Sequence, residues 1–405
     1  MQSQGESSMV IKPSIRSNIF TNSHPIGCQH YVEGLISEAK TLPSFQGPKK
    51  VLIIGGSSGY GLSTRVTLAV NANAETINVS FESRPKGDRT GSAGWWNNIY
   101  FQKALAMDKK IHKDFVGDAF SQEMKQQVKD YIKTTFGKLD LIVYSLAAGA
   151  RQNPSTGELV RSSLKTIGEP ATGKTIDIGD MQIKDITVTP ATEQEIKDTV
   201  FVMGGSDWLD WVQQLVKENL LNEGAKAISY TYIGSKNNAK IYRDGTIGRA
   251  KDDLEAAGVQ IDQLLKSKLR GEGLISVSKA VVTKASVFIP KIAFYVSTMF
   301  EVMKKHKVHE STLQHKHRLF KDMVYGQKRL VDEKKRIRID HYEMQANIQA
   351  EIDAMDKQYE NDNIFQLAGT KQFIDEFHHI HGFRIPTVNY EADVNMDALS
   401  LEEPK

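Results

Sequence analysis

From Lys49 onward the apolar positions fall into short continuous runs separated by stretches of helical spacing. Val51-Leu52-Ile53-Ile54 is such a run, the pattern of a strand covered on both faces of a parallel sheet. It leads into Gly55-Gly56-Ser57-Ser58-Gly59-Tyr60-Gly61, and residues 62–70 then take a helical pattern. Residues 76–82 predict a second strand, 110–116 a third and 139–148 a fourth, with helical spacing over 122–136. Further on, 207–215 reads as an amphipathic helix, 227–233 as another strand, and 275–283 as a strand passing into a helix. Strands alternating with helices imply an α/β fold. The expected architecture is a doubly wound parallel sheet with right-handed crossovers, binding ligands beyond the strand carboxyl ends.

Other stretches read as additions to one enlarged domain. Residues 1–48 carry turn formers and one amphipathic patch, 29–40, which predict an N-terminal extension. Residues 1–8 show no pattern, and Met9 serves equally well as a first residue. Turn formers cluster again over 150–200, predicting a small hairpin insertion near the substrate side or a plain surface excursion. The most apolar window, 286–303, is interrupted by Pro290 and Lys291, so it reads as a buried helix and not a membrane span. Beyond Phe300 the chain is helical and charged; Lys304, Lys305, Lys307, Lys316, Arg318 and Lys321 read as a solvated face.

Composition narrows the classes. With 52 basic and 49 acidic residues, the net charge of +3 gives no argument for nucleic acid, although a local basic pocket stays open. Cys28 is the single cysteine, which removes intrachain disulfides and cysteine-rich metal sites. His306, His309, His315 and His317 match no familiar ligand spacing, so no metal is expected. The polar N-terminus lacks a secretory pattern, and the expected location is cytoplasmic.

Strand, glycine-rich turn and helix in that order suit a dinucleotide. Glycines let backbone amides approach the pyrophosphate at a helix N-terminus, though a turn without ligand is the bland alternative. Glu82 lies where an acid binds the adenosine ribose hydroxyls and repels a 2′-phosphate, favouring NADH; Arg84 and Lys86 pull the other way. Asp118 is a candidate for the adenine edge. Tyr242 and Lys251 stand nine positions apart with Gly245 and Gly248 between them. At about 100° per residue they could not share one helix face, so Tyr242 belongs on a loop and Lys251 on the following helix. With bound NADH and an α,β-unsaturated thioester, Tyr242 would hydrogen-bond the developing enolate oxygen and Tyr232 would add a second bond. Lys251 would lower the phenol pKa and hold the nicotinamide ribose. Otherwise Tyr242 is a packed aromatic and Lys251 an ordinary helix lysine.

These residues resemble the long single-chain family of trans-2-enoyl-CoA reductases and NADH-dependent enoyl-[acyl-carrier-protein] reductases, enlarged relatives of the short-chain dehydrogenases. Shared motifs run from His24-Pro25-Ile26-Gly27-Cys28 through Gly94-Trp95-Trp96-Asn97-Asn98 and Met203-Gly204-Gly205 to Val281-Val282-Thr283. The resemblance implies Tyr242 as proton donor, Lys251 as cofactor-binding lysine and Tyr232 as a substrate contact. It implies NADH contacts at Gly55, Gly56, Ser57, Ser58, Gly59, Tyr60, Phe81, Glu82, Asp118, Ala119, Leu146, Ala147, Val281, Val282 and Thr283. It also implies a monomer that reduces enoyl-CoA or enoyl-ACP in fatty acid synthesis. Ser235-Lys236-Asn237-Asn238 departs from the proline-containing turn expected after Gly234. A short-chain carbonyl reductase and a non-catalytic dinucleotide sensor remain as alternatives.

Overall fold

The computed structural model describes residues 8–16, 18–284, 287–360 and 362–405. The N-terminal extension contributes β1 (Ser8–Val10), a small hairpin of β2 (Ile15–Arg16) and β3 (Ile19–Phe20), and α1 (Pro25–Thr41). Pro25 opens α1, where a missing N–H costs nothing, and the His24 ring accepts from the Gly27 N–H.

The four apolar residues after Lys50 need cover on both sides, and they have it. β4 (Lys50–Ile54) is an inner strand of a six-stranded parallel sheet that also holds β5 (Glu75–Ser80), β6 (His112–Val116) and β7 (Leu139–Tyr144). The remaining members are β12 (Leu221–Thr231) and β13 (Glu272–Val277), in the order β13-β12-β7-β4-β5-β6. Counted along the chain, the sheet strands run 3-2-1-4-5-6, so the winding reverses between β4 and β7. That reversal opens the crevice where doubly wound sheets bind ligands.

Side chains alternate along β4. Leu52 and Ile54 face a core built with α4 (Gln122–Tyr131), α6 (Ser206–Lys217) and α7 (Thr246–Leu269), where Trp208 and Trp211 are buried. Val51 and Ile53 face a second core with Leu68 of α2 (Gly59–Asn71), Phe320 and Ile337. α3 (Ala93–Ala104) packs on α1 through Trp96 and Ile99.

Between β7 and β12 the chain forms two hairpins, where one was expected. They are β8 (Ala150–Gln152) with β9 (Leu159–Arg161), and β10 (Ala171–Asp177) with β11 (Gln182–Val188); α5 (Glu193–Met203) follows. The apolar window becomes α8 (Ile292–Lys305), buried against α10 (Ala346–Tyr359) and α11 (Ala368–His379); residue 286 lies outside the described residues, as do 1–7. Among the described residues, no helix is long and apolar enough to cross a membrane. β14 (Asp393–Asn395) pairs antiparallel with β1, joining the two ends of the chain, and α12 (Met396–Ser400) follows it.

Three expectations are corrected. The fourth strand stops at Tyr144, because the chain past it crosses over Gly55. No helix forms over 278–283, where β-branched Val281, Val282 and Thr283 disfavour one. Lys316, on α9 (Thr312–Arg318), is fully buried and not part of a solvated face.

Arg65 and Asp114 form an ion pair at 2.7 Å with both side chains inaccessible, and Thr76, Asn78 and Gln102 add hydrogen bonds to it. Asp114→Ala strands the guanidinium in the core. We expect a loss of about 3–5 kcal/mol, read as a lower midpoint of urea denaturation.

Candidate active site

The turn after β4 is shaped by close backbone approach. A side chain at Gly55 (φ +89°) would meet the Ser145 carbonyl oxygen at 2.3 Å, and one at Gly61 would meet the Gly55 carbonyl oxygen at 1.9 Å. Gly59 (φ +54°) is different, since nothing lies within 4 Å of where its side chain would be. The Ser58 side chain does not cap α2, which leaves the first amides of that helix available to an anion. A cleft of 920 Å³ opens over this turn, and Gly55, Ser57, Ser58, Gly59 and Tyr60 line it. Phe81, Glu82, Asp118, Ala119, Leu146 and Ala147 complete the walls that the sequence anticipated. Gly56 stands outside; its N–H binds Asn78 Oδ1 at 2.8 Å. These features fit a dinucleotide.

Glu82 is held in place. Ser57 and Ser92 both donate hydroxyls to its carboxylate, which packs against Gly94 in the first turn of α3. A helix N-terminus favours negative charge there. Arg84, weighed as a phosphate acceptor, is engaged by Glu403 at 2.7 Å. No local pattern reveals Ser57 and Ser92 as partners of Glu82, although Gly94 in the Gly-Trp-Trp motif signals a close contact.

A second cavity, 240 Å³, shares Tyr60, Ser145, Leu146 and Ala147 with the cleft. Tyr232, Tyr242 and Lys251 line it, with Met203, Ser278, Lys279, Ala280, Val281 and Thr283. Tyr242 sits on the loop before α7, and Lys251 lies in that helix's second turn, as the spacing required. The two glycines between them act by close packing and not by unusual backbone angles. A side chain at Gly245 would strike the Ile241 carbonyl oxygen at 2.3 Å, and one at Gly248 the Arg243 carbonyl oxygen at 2.0 Å. The Tyr232 and Tyr242 rings meet edge to face at 4.9 Å, and the buried Tyr232 hydroxyl has no hydrogen-bond partner within 3.5 Å among the described residues. Val282 turns away into the core with Val287 and Ile289.

Lys251 Nζ donates to the Tyr230 carbonyl oxygen at 3.1 Å. Burial lowers its pKa to about 8, with Glu255 acting in the opposite direction. Burial also pushes the Tyr242 phenol up. Desolvation dominates at that phenol and keeps it protonated.

Residues 89–325 match the family described as "Trans-2-enoyl-CoA reductase catalytic region", and residues 10–87 match "NAD(P)H binding domain of trans-2-enoyl-CoA reductase". The chain is 44% identical over 388 residues to a protein of Clostridium perfringens named trans-2-enoyl-CoA reductase [NADH], covering 96% of this chain and 99% of that one. The chain belongs to the trans-2-enoyl-CoA reductase family. Another relative within reach of this family, from Photobacterium profundum, is named enoyl-[acyl-carrier-protein] reductase [NADH] 2; it is 42% identical, over 97% of this chain and 99% of its own. The crystal structure of Clostridium acetobutulicum trans-2-enoyl-CoA reductase in complex with NADH superposes with a TM-score of 0.95 at 39% identity, over 98% of this chain and 100% of that one.

Residues 331–394 match a third description, "Enoyl reductase FAD binding domain". The segment does not fit a flavin dinucleotide in this member of the reductase family. Its two glycines are closed by backbone: a side chain at Gly369 would meet the Ser297 carbonyl oxygen at 2.1 Å, and one at Gly382 the His24 carbonyl oxygen at 2.5 Å. The cavity beside α10 sets Lys174, Lys291 and Lys357 against Asp185, Asp353, Asp356 and Glu360, so it presents no net positive charge to a pyrophosphate.

Gly61→Ala should displace the turn, because the new methyl overlaps the Gly55 carbonyl. NADH affinity measured by fluorescence titration is expected to fall by about tenfold or more, with the rest of the fold retained.

Proposed function

We propose that the chain reduces trans-2-enoyl thioesters with NADH, as one enlarged domain working as a cytoplasmic monomer. The observation that carries this reading is the shared wall between the glycine-turn cleft and the cavity of Tyr232, Tyr242 and Lys251. A dinucleotide in the first would end against the reactive side chains of the second. The names of the relatives from Clostridium perfringens and Photobacterium profundum support the substrate class, with either coenzyme A or acyl carrier protein as the thiol.

NADH, when bound, supplies the hydride that goes to the substrate's β-carbon. Negative charge then gathers on the thioester oxygen, and the Tyr242 phenol stabilises it where it develops. Because burial keeps that phenol protonated, Tyr242 can also deliver the proton the enolate needs. Tyr232, whose hydroxyl has no partner within 3.5 Å among the described residues, serves as a second donor to the same oxygen. Lys251 holds the nicotinamide ribose hydroxyls as an ammonium. Glu82, fixed by its two serines, takes the adenosine ribose and opposes a 2′-phosphate.

Two measurements test the assignment. NADH oxidation with crotonyl-CoA should proceed in the native chain and fall about 10²–10³-fold in kcat for Tyr242→Phe; full activity in that variant would remove Tyr242 as donor. The Lys251 ammonium is present below pH about 8 and lost above it, so the native kcat/KM for NADH should decline as pH rises through that value.

A further inference from the structure

Three consecutive residues at the exit of β13 are each held by a side chain from the C-terminal part of the chain. Lys316 Nζ donates to Ser278 Oγ at 2.8 Å, and His315 Nε2 accepts from the Lys279 N–H at 3.2 Å. Glu343 Oε2 accepts from the Ala280 N–H at 2.8 Å. Tyr60 adds a fourth hold by donating to the Lys279 carbonyl oxygen at 2.8 Å. This segment has left the sheet, so side chains must satisfy backbone groups that a ladder would otherwise pair. Ser278, Lys279 and Ala280 line the cavity of Tyr242 and Lys251, and Val281 follows directly.

Glu343 is the most demanding of these partners. It is 1% exposed, lies behind the cavity wall, and forms no ion pair among the described residues. Its other carboxylate oxygen accepts from Tyr295 Oη at 2.6 Å. Gln349 Nε2 braces the group, donating to that hydroxyl at 3.1 Å and to the Glu343 carbonyl oxygen at 2.8 Å. Burial pushes the Glu343 carboxyl up to about 7, while the bonds from Tyr295 and Ala280 pull it down and the Asp340 and Lys279 charges act in opposite directions. A buried carboxylate without a cationic partner adds little stability, and an apolar residue of similar volume would pack there at lower cost. What an apolar residue cannot do is accept the Ala280 N–H.

We infer that Glu343 is a positioning residue for the reduction, fixing the Ala280 amide and through it the 280–283 backbone beside Tyr242 and Lys251. The inference rests on the function proposed above. It also gives the segment that does not fit a flavin a defined task at the nicotinamide side of the cleft.

The test compares Glu343→Gln with Glu343→Ala in the full chain. Glutamine keeps an oxygen for the Ala280 N–H, and its amide can donate to Tyr295; alanine offers neither. NADH dissociation constants and amide exchange at Ala280 are read directly, alongside kcat and KM with crotonyl-CoA. Glu343→Ala should weaken NADH binding by about tenfold or more and speed exchange at Ala280 while amides of β4 keep their protection. Glu343→Gln should stay within about threefold of the native chain on both readouts. Native-like NADH binding in the alanine variant, or an equal loss in both variants, overturns the inference. Should Glu343→Ala not fold, Glu343→Asp replaces it with the same expectation, because the shorter side chain draws the carboxylate away from Ala280. A native chain that binds NADH but leaves crotonyl-CoA unreduced overturns the proposed function, and with it positioning for reduction; unchanged exchange at Ala280 overturns the Glu343 hold alone.

Discussion

The contact on which the site depends is between bare backbones at the reversal of the sheet. Gly55 lies against the Ser145 carbonyl and Gly61 against the Gly55 carbonyl, each too close for a methyl group. This packing lets the turn after β4, the N-terminus of α2 and the exit of β7 crowd into one crevice. The cleft and the smaller cavity then share the Ser145, Leu146 and Ala147 wall because β7 stops at Tyr144 and turns over the glycines. If the backbones stood further apart, the two cavities would have no common boundary.

On the opposite side, the floor of the site is made by additions to the sheet. β13 ends at Val277 and the chain then runs without regular structure, held by Lys316, His315 and Glu343. The His315 ring is neutral, since burial lowers its pKa to about 3; Nδ1–H donates to Glu310 while Nε2 accepts from Lys279. Lys316 has the rings of Tyr230 and Tyr60 at 3.4 and 4.0 Å, where aromatic faces replace part of the lost hydration. The same Tyr230 offers its carbonyl to Lys251. Residues that look peripheral in the chain therefore touch the innermost part of the site.

Much of this was legible in the residues themselves. The apolar run at Val51 and the glycine turn fixed the first strand and the crevice, because a parallel strand and a phosphate turn each have a local signature. Tyr242 and Lys251 were legible from geometry, since nine positions cannot share a helix face. The need for Gly245 and Gly248 is set by the Ile241 and Arg243 carbonyls, contacts that no local pattern reveals. Lys316 was misread because charge patterning describes one helix, whereas its burial comes from α2 and β12. Glu343 and Ser92 went unseen for the same reason, and Ser57 was read as a cofactor contact without its bond to Glu82. Each matters through a partner far away in sequence.

In the role proposed for Glu82, the cradle around it makes cofactor choice a property of a group and not of one side chain. Its carboxylate accepts two hydroxyls and fills the space over Gly94 at the start of α3. Exchanging the acid alone would leave Ser57 and Ser92 without their acceptor and open a gap against the helix. A chain drifting toward phosphorylated dinucleotides must therefore repack this corner as a unit, and intermediate steps carry a cost in order before any gain in affinity. The discrimination proposed for Glu82 at the adenosine ribose would be protected by that coupling, much as a lock resists a key altered at one tooth.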